Sequence, residues 1–329
     1  MPKRGKIALV VAGGQIGLKT EEDSGHQPFL NGETMLSWLP EDMSQDVFLV
    51  DWSHQPSSHY SIRMTTDLIQ ILNKLVIEGV DGIVVSSGTD TLEEMAYLTD
   101  LFWAYPQPII FTAATLPFDV PGTDAIINLT QAMYAASSQK CWGLGVLVCL
   151  QDQLFAASEI TEETNHRRNA FVSPDRGPLG EIIGQDIQIL RIHKRSKVLE
   201  GDHVPARNVE LIYANLGGGE LLIKLLSEAK DKDLDGLVIA GFGDGTISPS
   251  WIPFLRKIIR DGIPVVISSR CFMGRTRRFF NFEGSLNKLL ELGVYDGGNL
   301  RPLQARLKLS AGLGAGLKGP ELQKFLYSQ

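Results

Sequence analysis

Short apolar runs alternate along this chain with longer amphipathic stretches, and that alternation leaves few folds open. Runs of four to six apolar residues are what a parallel sheet buried on both faces requires, and the amphipathic stretches between them supply the helices that cover it. The runs are Ile7 to Val11, Asp46 to Val50, Gly82 to Val85, Pro108 to Phe111, Gly145 to Cys149, Glu210 to Tyr213, Gly236 to Ala240 and Pro264 to Ile267. Among the helical stretches, Met64 to Ile77 places Leu68, Ile71, Leu72 and Leu75 on one stripe, and Asp124 to Ala136 and Pro249 to Ile259 repeat the spacing. The fold class is therefore α/β. With 329 residues the chain is long enough for two domains or one large unit. The stretch 193–207 is polar, charged and aperiodic, so it reads as a linker between an N-terminal domain at 1–192 and a C-terminal domain at 208–329.

Composition narrows the function classes. Hydrophobic residues make up 43% and charged residues 21%, a globular balance that excludes disorder, collagen and coiled coil. A net charge of -7 repels phosphate backbones, and the basic cluster Arg275 to Arg278 is too short to reverse that field. We expect no nucleic-acid partner. No apolar stretch approaches the roughly 18 residues of a membrane span, so no membrane partner is expected either. The start of the chain has basic residues, but its apolar run is short and ends in Gly13 and Gly14 without a cleavage site, so it reads as a first strand. Three cysteines, Cys141, Cys149 and Cys271, form no CxxC pair. That usage fits a reducing compartment, and we expect the protein in the cytoplasm.

Ligands of parallel sheets bind beyond the carboxyl ends of the strands, so the first turns to inspect follow those ends. After the first strand comes Ala12-Gly13-Gly14-Gln15-Ile16-Gly17, where glycines allow the backbone to approach a small ligand, or simply make a tight turn. It lacks the GxGxxG order of a dinucleotide site. After the third strand comes Ser86-Ser87-Gly88-Thr89-Asp90-Thr91-Leu92-Glu93-Glu94. Thr91 and Glu94 have capping-box spacing, which predicts a helix start whose free N–H groups favour a carboxylate. Thr89 and Asp90 stand ahead of that cap, where a hydroxyl and a carboxylate can face a ligand.

These segments carry a family resemblance. Gly82 to Leu98 resembles the second signature of the bacterial L-asparaginase/glutaminase family, and Ala12 to Gly17 resembles an altered copy of its first. The similarity continues through Gly145 to Thr161, Asn169 to Gly180, Gly262 to Cys271 and Asn299 to Arg306, in order, over nearly the whole chain. The resemblance implies a flavodoxin-like N-terminal domain with a mainly parallel sheet and a smaller C-terminal α/β domain. It also implies active sites shared between subunits of a homodimer or homotetramer, an amino-acid-like ligand, no metal and no cofactor. Family members cleave the side-chain amide of asparagine or glutamine with a threonine nucleophile after the first strand, supported by a second threonine, an aspartate and a lysine.

Position by position, Thr89 and Asp90 fall on the second threonine and the aspartate. Ser57 falls on a substrate-holding serine, with Ser58 the alternative if the alignment slips by one. Gly14, Ser87 and Gly88 line the same turns, and Asp244 and Asn299 fall where the family completes a neighbouring subunit's site. Gln15 stands in place of the nucleophilic threonine, Ser87 in place of a histidine and Glu162 in place of the lysine. The segment Leu18 to Pro28 also lacks the expected tyrosine. A carboxamide has no hydroxyl to acylate, so Gln15 cannot serve as threonine does. Glu162 sets a second carboxylate near Asp90 and reverses the local charge unless Arg167 or Arg168 folds back on it. Two functions follow as expectations: an amidohydrolase with Thr89 as nucleophile, Glu162 or Asp90 as base and weak activity on L-asparagine, or a silent paralogue that binds an amino-acid-like ligand as a sensor or partner subunit.

Overall fold

In the computed structural model, residues 5–19, 29–45, 47–229 and 233–328 are described. The chain divides into two compact units, Met1–Val198 and Leu199–Gln329. The acidic segment without its tyrosine lies, from residue 20 to 28, outside the described residues.

The first unit is built on strands β1 (Ile7–Ala12), β2 (Val47–Ser53), β3 (Gly82–Ser86), β4 (Ile109–Thr112), β5 (Val146–Leu150), β6 (Gln153–Ala156), β7 (Thr161–Glu162), β8 (Phe171–Val172), β9 (Gly180–Ile183) and β10 (Asp186–Ile189). Eight of them form one sheet in the order β10-β9-β6-β5-β4-β3-β1-β2, and β7 and β8 pair separately. β1 to β5 are mutually parallel, while β6, β9 and β10 add an antiparallel edge. The sheet is apolar on both faces because alternate residues of one run serve different cores. Ala8 and Val10 of β1 join Val85, Phe111 and the helices Ile62–Ile77 and Leu92–Phe102. Leu9 and Val11 join Val84, Ile110 and the helix Ala125–Ser137.

The second unit contains β11 (Val209–Tyr213), β12 (Gly236–Gly241), β13 (Val265–Ser269) and β14 (Tyr295–Asp296), all parallel and in sequence order. Leu237, Ile239, Val265 and Ile267 pack on Trp251, Leu255 and Ile258. Val238 and Val266, on the opposite face, pack on Ala305, Leu309, Leu322 and Leu326. The stretch read as one helix from Pro249 divides into a 3-10 turn, Pro249–Trp251, and an α-helix, Ile252–Arg260. No helix among the described residues is long and apolar enough to cross a membrane. Arg277 and Arg278 of the basic cluster are held at 2.6 Å from Asp244 and 3.7 Å from Asp296.

One reading of a helix start is corrected. Thr91 does sit at the N-cap of Leu92–Phe102, but its side chain makes no capping hydrogen bond. Its hydroxyl instead donates to the Ser57 carbonyl at 3.0 Å. The Thr91 ψ of 11° departs from the extended conformation that a capping box uses, so the hydroxyl faces the loop after β2.

Candidate functional site

The order β2-β1-β3-β4-β5 reverses direction between β1 and β3, and a crevice opens beyond the carboxyl ends at such a point. The ladder between β1 and β2 shifts register between Val11 and Ala12, immediately before the glycine turn. Gly13 and Gly14 then adopt φ of 65° and 80°, conformations that side chains resist. A Cβ on Gly14 would lie 2.1 Å from the Gly88 nitrogen, and one on Gly88 would lie 2.4 Å from the Ser57 Oγ. The turns after β1, β2 and β3 therefore meet at contact distances that only glycine permits.

Ser57 is buried in this junction and donates its hydroxyl to Asp90 Oδ2 at 2.6 Å. Ser58, one residue on, is exposed, so Ser57 is the serine that reaches the aspartate. Ser87 is fully buried, and its N–H donates to the Thr112 carbonyl at 2.8 Å, which ties the turn to β4. Thr89 is half-buried and Asp90 exposed. Among the described residues no protein group hydrogen-bonds the Thr89 hydroxyl. Gln15 opens the 3-10 turn Gln15–Gly17 and is exposed.

Glu162 arrives on the β7–β8 hairpin, where it pairs with Phe171. The hairpin is seated by Ile160, Ala170 and Phe171, which share a core with Leu92 and Met95 of the helix that follows Asp90. Although the residue is exposed overall, partial burial of its carboxyl first, and the Asp90 carboxylate second, hold its pKa above the ordinary value. No cation among the described residues pairs with it. Arg168 does not fold back: its guanidinium occupies the space over Gly122, 2.6 Å from where a Cβ there would sit.

Tyr60 is a contributor that sequence reasoning missed. Its hydroxyl donates to the Ala12 carbonyl at the end of β1, and its ring stacks on Trp52 with centroids 5.4 Å apart. Burial raises its pKa, so it stays a neutral donor that supports the first turn. The aromatic spacing from Trp52 to Tyr60 around Pro56-Ser57-Ser58 is the signal that could have indicated it.

Asp244 and Asn299 belong to the second unit. They follow β12 and β14, and the loop after β13 bridges them, with Arg277 N–H on the Asp244 carbonyl and Thr276 N–H on the Gly298 carbonyl, each at 3.1 Å. Asp244 is held by Arg277, whereas Asn299 is exposed. Among the described residues no cluster of three or more histidine, cysteine or acidic residues is arranged to hold a metal ion.

The family model described as Asparaginase, N-terminal matches residues 6–195, and that of the Glutaminase/Asparaginase C-terminal domain matches residues 208–326. An L-asparaginase of Bacillus licheniformis is 28% identical over 330 residues, spanning 98% of this chain and 99% of its own. A glutamyl-tRNA(Gln) amidotransferase subunit of Methanobrevibacter smithii is 32% identical over 250 residues, spanning 73% of this chain and 56% of its own. The fold is shared with the structure of a probable cytoplasmic L-asparaginase from Campylobacter jejuni, with a TM-score of 0.86, 24% identity, and coverage of 99% of this chain and 100% of that one. Two family models in sequence order over almost the full length, on a sheet of the matching fold, place this chain in the asparaginase family.

Proposed function

We propose that the chain holds the head group of an α-amino acid at the carboxyl ends of β1 and β3 and cleaves a side-chain amide slowly, with Thr89 as the nucleophile. The observation that carries this reading is the Thr89 hydroxyl, left without a protein partner among the described residues beside an Asp90 already fixed by Ser57. Asp90 is suited to an α-ammonium. The buried turn at Ser57, Ser87 and Gly88, with Gly14 packed against it, is suited to the α-carboxylate. In the reaction the Thr89 Oγ bonds to the amide carbon while Glu162, or Asp90, takes the hydroxyl proton. The C–N bond then breaks, ammonia leaves with that proton, and water hydrolyses the ester.

A second reading has its own observation. Gln15, exposed at the family's nucleophile position, has no hydroxyl and no useful basicity, which favours a ligand-binding paralogue acting as a sensor or partner subunit. That one relative is a component of an amidotransferase fits such a role. Ammonia release from L-asparagine discriminates the two. We expect turnover several orders of magnitude below the roughly 1 to 10³ s⁻¹ of ordinary enzymes, and abolished by Thr89→Ala. Residual activity that survives Thr89→Ala would remove Thr89 as nucleophile, and no activity on any amino-acid amide would leave the binding role.

We extend the reading to a homodimer or homotetramer in the cytoplasm. Its three cysteines are free thiols, as expected of a reducing compartment, and the similar fold from Campylobacter jejuni is described as cytoplasmic. In the oligomer Asp244 and Asn299 would complete the site of a neighbouring copy, Asp244 by exchanging Arg277 for the ligand. Light scattering should then give at least twice the 36.2 kDa of the single chain. A monomer at micromolar concentration, with ligand affinity indifferent to Asp244→Ala, would refute it.

A further inference from the structure

We propose that this site selects an α-amino-acid amide that carries a second positive charge at its side-chain end, with Asp90 facing the α-ammonium and Glu162 facing the distal cation. The inference rests on the amino-acid reading of the site given above.

Acids of the first unit differ in how their charge is met. Two of its buried acids carry their own cations: Glu159 is paired with Arg176 and Arg191, and Asp100 with Arg195. A third, Asp124, is surrounded by donors instead, the N–H groups of Thr115 and Leu116, the Thr115 hydroxyl and the Asn128 amide. Glu162 stands on a hairpin packed on the helix that follows Asp90, and the Asp90 carboxylate opposes its charge, yet among the described residues the hydrogen bond to the Asp90 carboxylate comes from the neutral Ser57 hydroxyl. The cations nearest in sequence do not repair this. Arg168 is committed to the loop at Gly122, and Arg167 is exposed and makes no ion pair among the described residues. The result, among the described residues, is a pair of carboxylates with no resident counter-charge, one of them on a hairpin seated by apolar packing and flanked by the Glu159–Arg176 pair.

A ligand with one ammonium satisfies Asp90 and leaves Glu162 facing the ligand's side chain unpaired. A neutral side-chain amide therefore gains nothing from Glu162, and a side-chain carboxylate is repelled by it. An ammonium or guanidinium beyond the amide reverses the sign of that interaction. An inorganic cation is a poorer answer, because among the described residues no third acidic, histidine or cysteine side chain joins the two carboxylates.

Calorimetry on the native protein tests this with two matched probes. One is the γ-amide of L-glutamate with 1,4-diaminobutane, whose distal end is an ammonium. The other is the γ-amide with n-pentylamine, which has the same length and no charge. We expect the cationic amide to bind about tenfold more tightly, the discount from full Coulomb attraction reflecting solvent screening at an exposed carboxylate. The ratio should fall to near unity in Glu162→Gln and stay near ten in Glu163→Gln, which removes a neighbouring charge outside the site. Raising salt from about 50 to 500 mM should shrink the native ratio as well, which reads the same attraction without any substitution. If both amides bind in a manner lost in Asp90→Asn, but the native ratio is one or below, the inference fails and the amino-acid reading stands. If neither amide, L-asparagine nor L-glutamine binds, the amino-acid reading fails and takes the inference with it.

Discussion

Gln15→Thr and Glu162→Lys introduced together should raise L-asparagine hydrolysis at least about a hundredfold over the native chain, far beyond the product of the single changes. The reason lies in what each change supplies. Gln15→Thr adds a hydroxyl at the end of β1, in a 3-10 turn whose backbone is already shaped by Gly13 and Gly14. That hydroxyl alone still lacks the lysine that supports the family's threonines. Glu162→Lys replaces a repelling carboxylate beside Asp90 by an attracting ammonium, but on its own it takes a candidate base from Thr89 and leaves the turn after β1 without a hydroxyl. Groups that act on one proton path work as a unit, so each single change should yield little. Ammonia release measures it. A double variant no faster than the native chain would mean that the site has been reshaped beyond these positions, with the segment 20–28 the first place to look.

Arg195→Met should destabilise the first unit by about 3–5 kcal/mol, the usual cost of removing one partner from a buried pair. Asp100 is 2% exposed, and its Oδ1 accepts from Arg195 Nη2 at 2.8 Å and from the Val146 N–H at 3.0 Å. Arg195 also donates to the Asp100 and Trp103 carbonyls at 3.2 and 2.9 Å, a cation set on the last turn of Leu92–Phe102. Without Arg195 the carboxylate is left with one neutral donor in the interior. Asp100→Asn in the same chain removes the stranded charge while keeping an oxygen for Val146, so the double variant should be more stable than the sum of the single losses predicts. Urea unfolding gives the comparison. A loss under about 1 kcal/mol for Arg195→Met would place this pair with exposed ion pairs of little weight.

All the parallel strands but the short β14 were legible because burial in a sheet forces uninterrupted apolar runs, and each predicted run overlaps an observed strand to within a few residues at its ends. The antiparallel edge was not. Its first strand is reached through Gln151 and Asp152, which adopt φ of 51° and 63° without a glycine to announce the turn. Asn128 and Gln131 hold that turn from the helix Ala125–Ser137, a contact more than twenty residues away in sequence. The helix Pro302–Gly314 shows no stripe because it is buried nearly all round, Lys308 included. In the site, the glycine and Thr89-Asp90 turns were readable from their position after apolar runs. The Ser57–Asp90 bond spans 33 residues, and the family resemblance brought the two residues to one site without indicating the bond. Thr91 was misread because its hydroxyl answers to a loop that local spacing does not reveal.

The backbone-to-backbone contact of Gly14 with Gly88 sets how the site responds to a ligand. Ordering a free loop costs roughly 1–2 kcal/mol per residue, and here folding has already met that cost for the turns that receive the head group. Binding at this end should then be nearly rigid, with affinity following the charges of the ligand rather than its capacity to induce a shape. Gln15 and Glu162 border this frame as side chains, so substitutions at either position can exchange reactivity or ligand preference while the head-group receptor keeps its form.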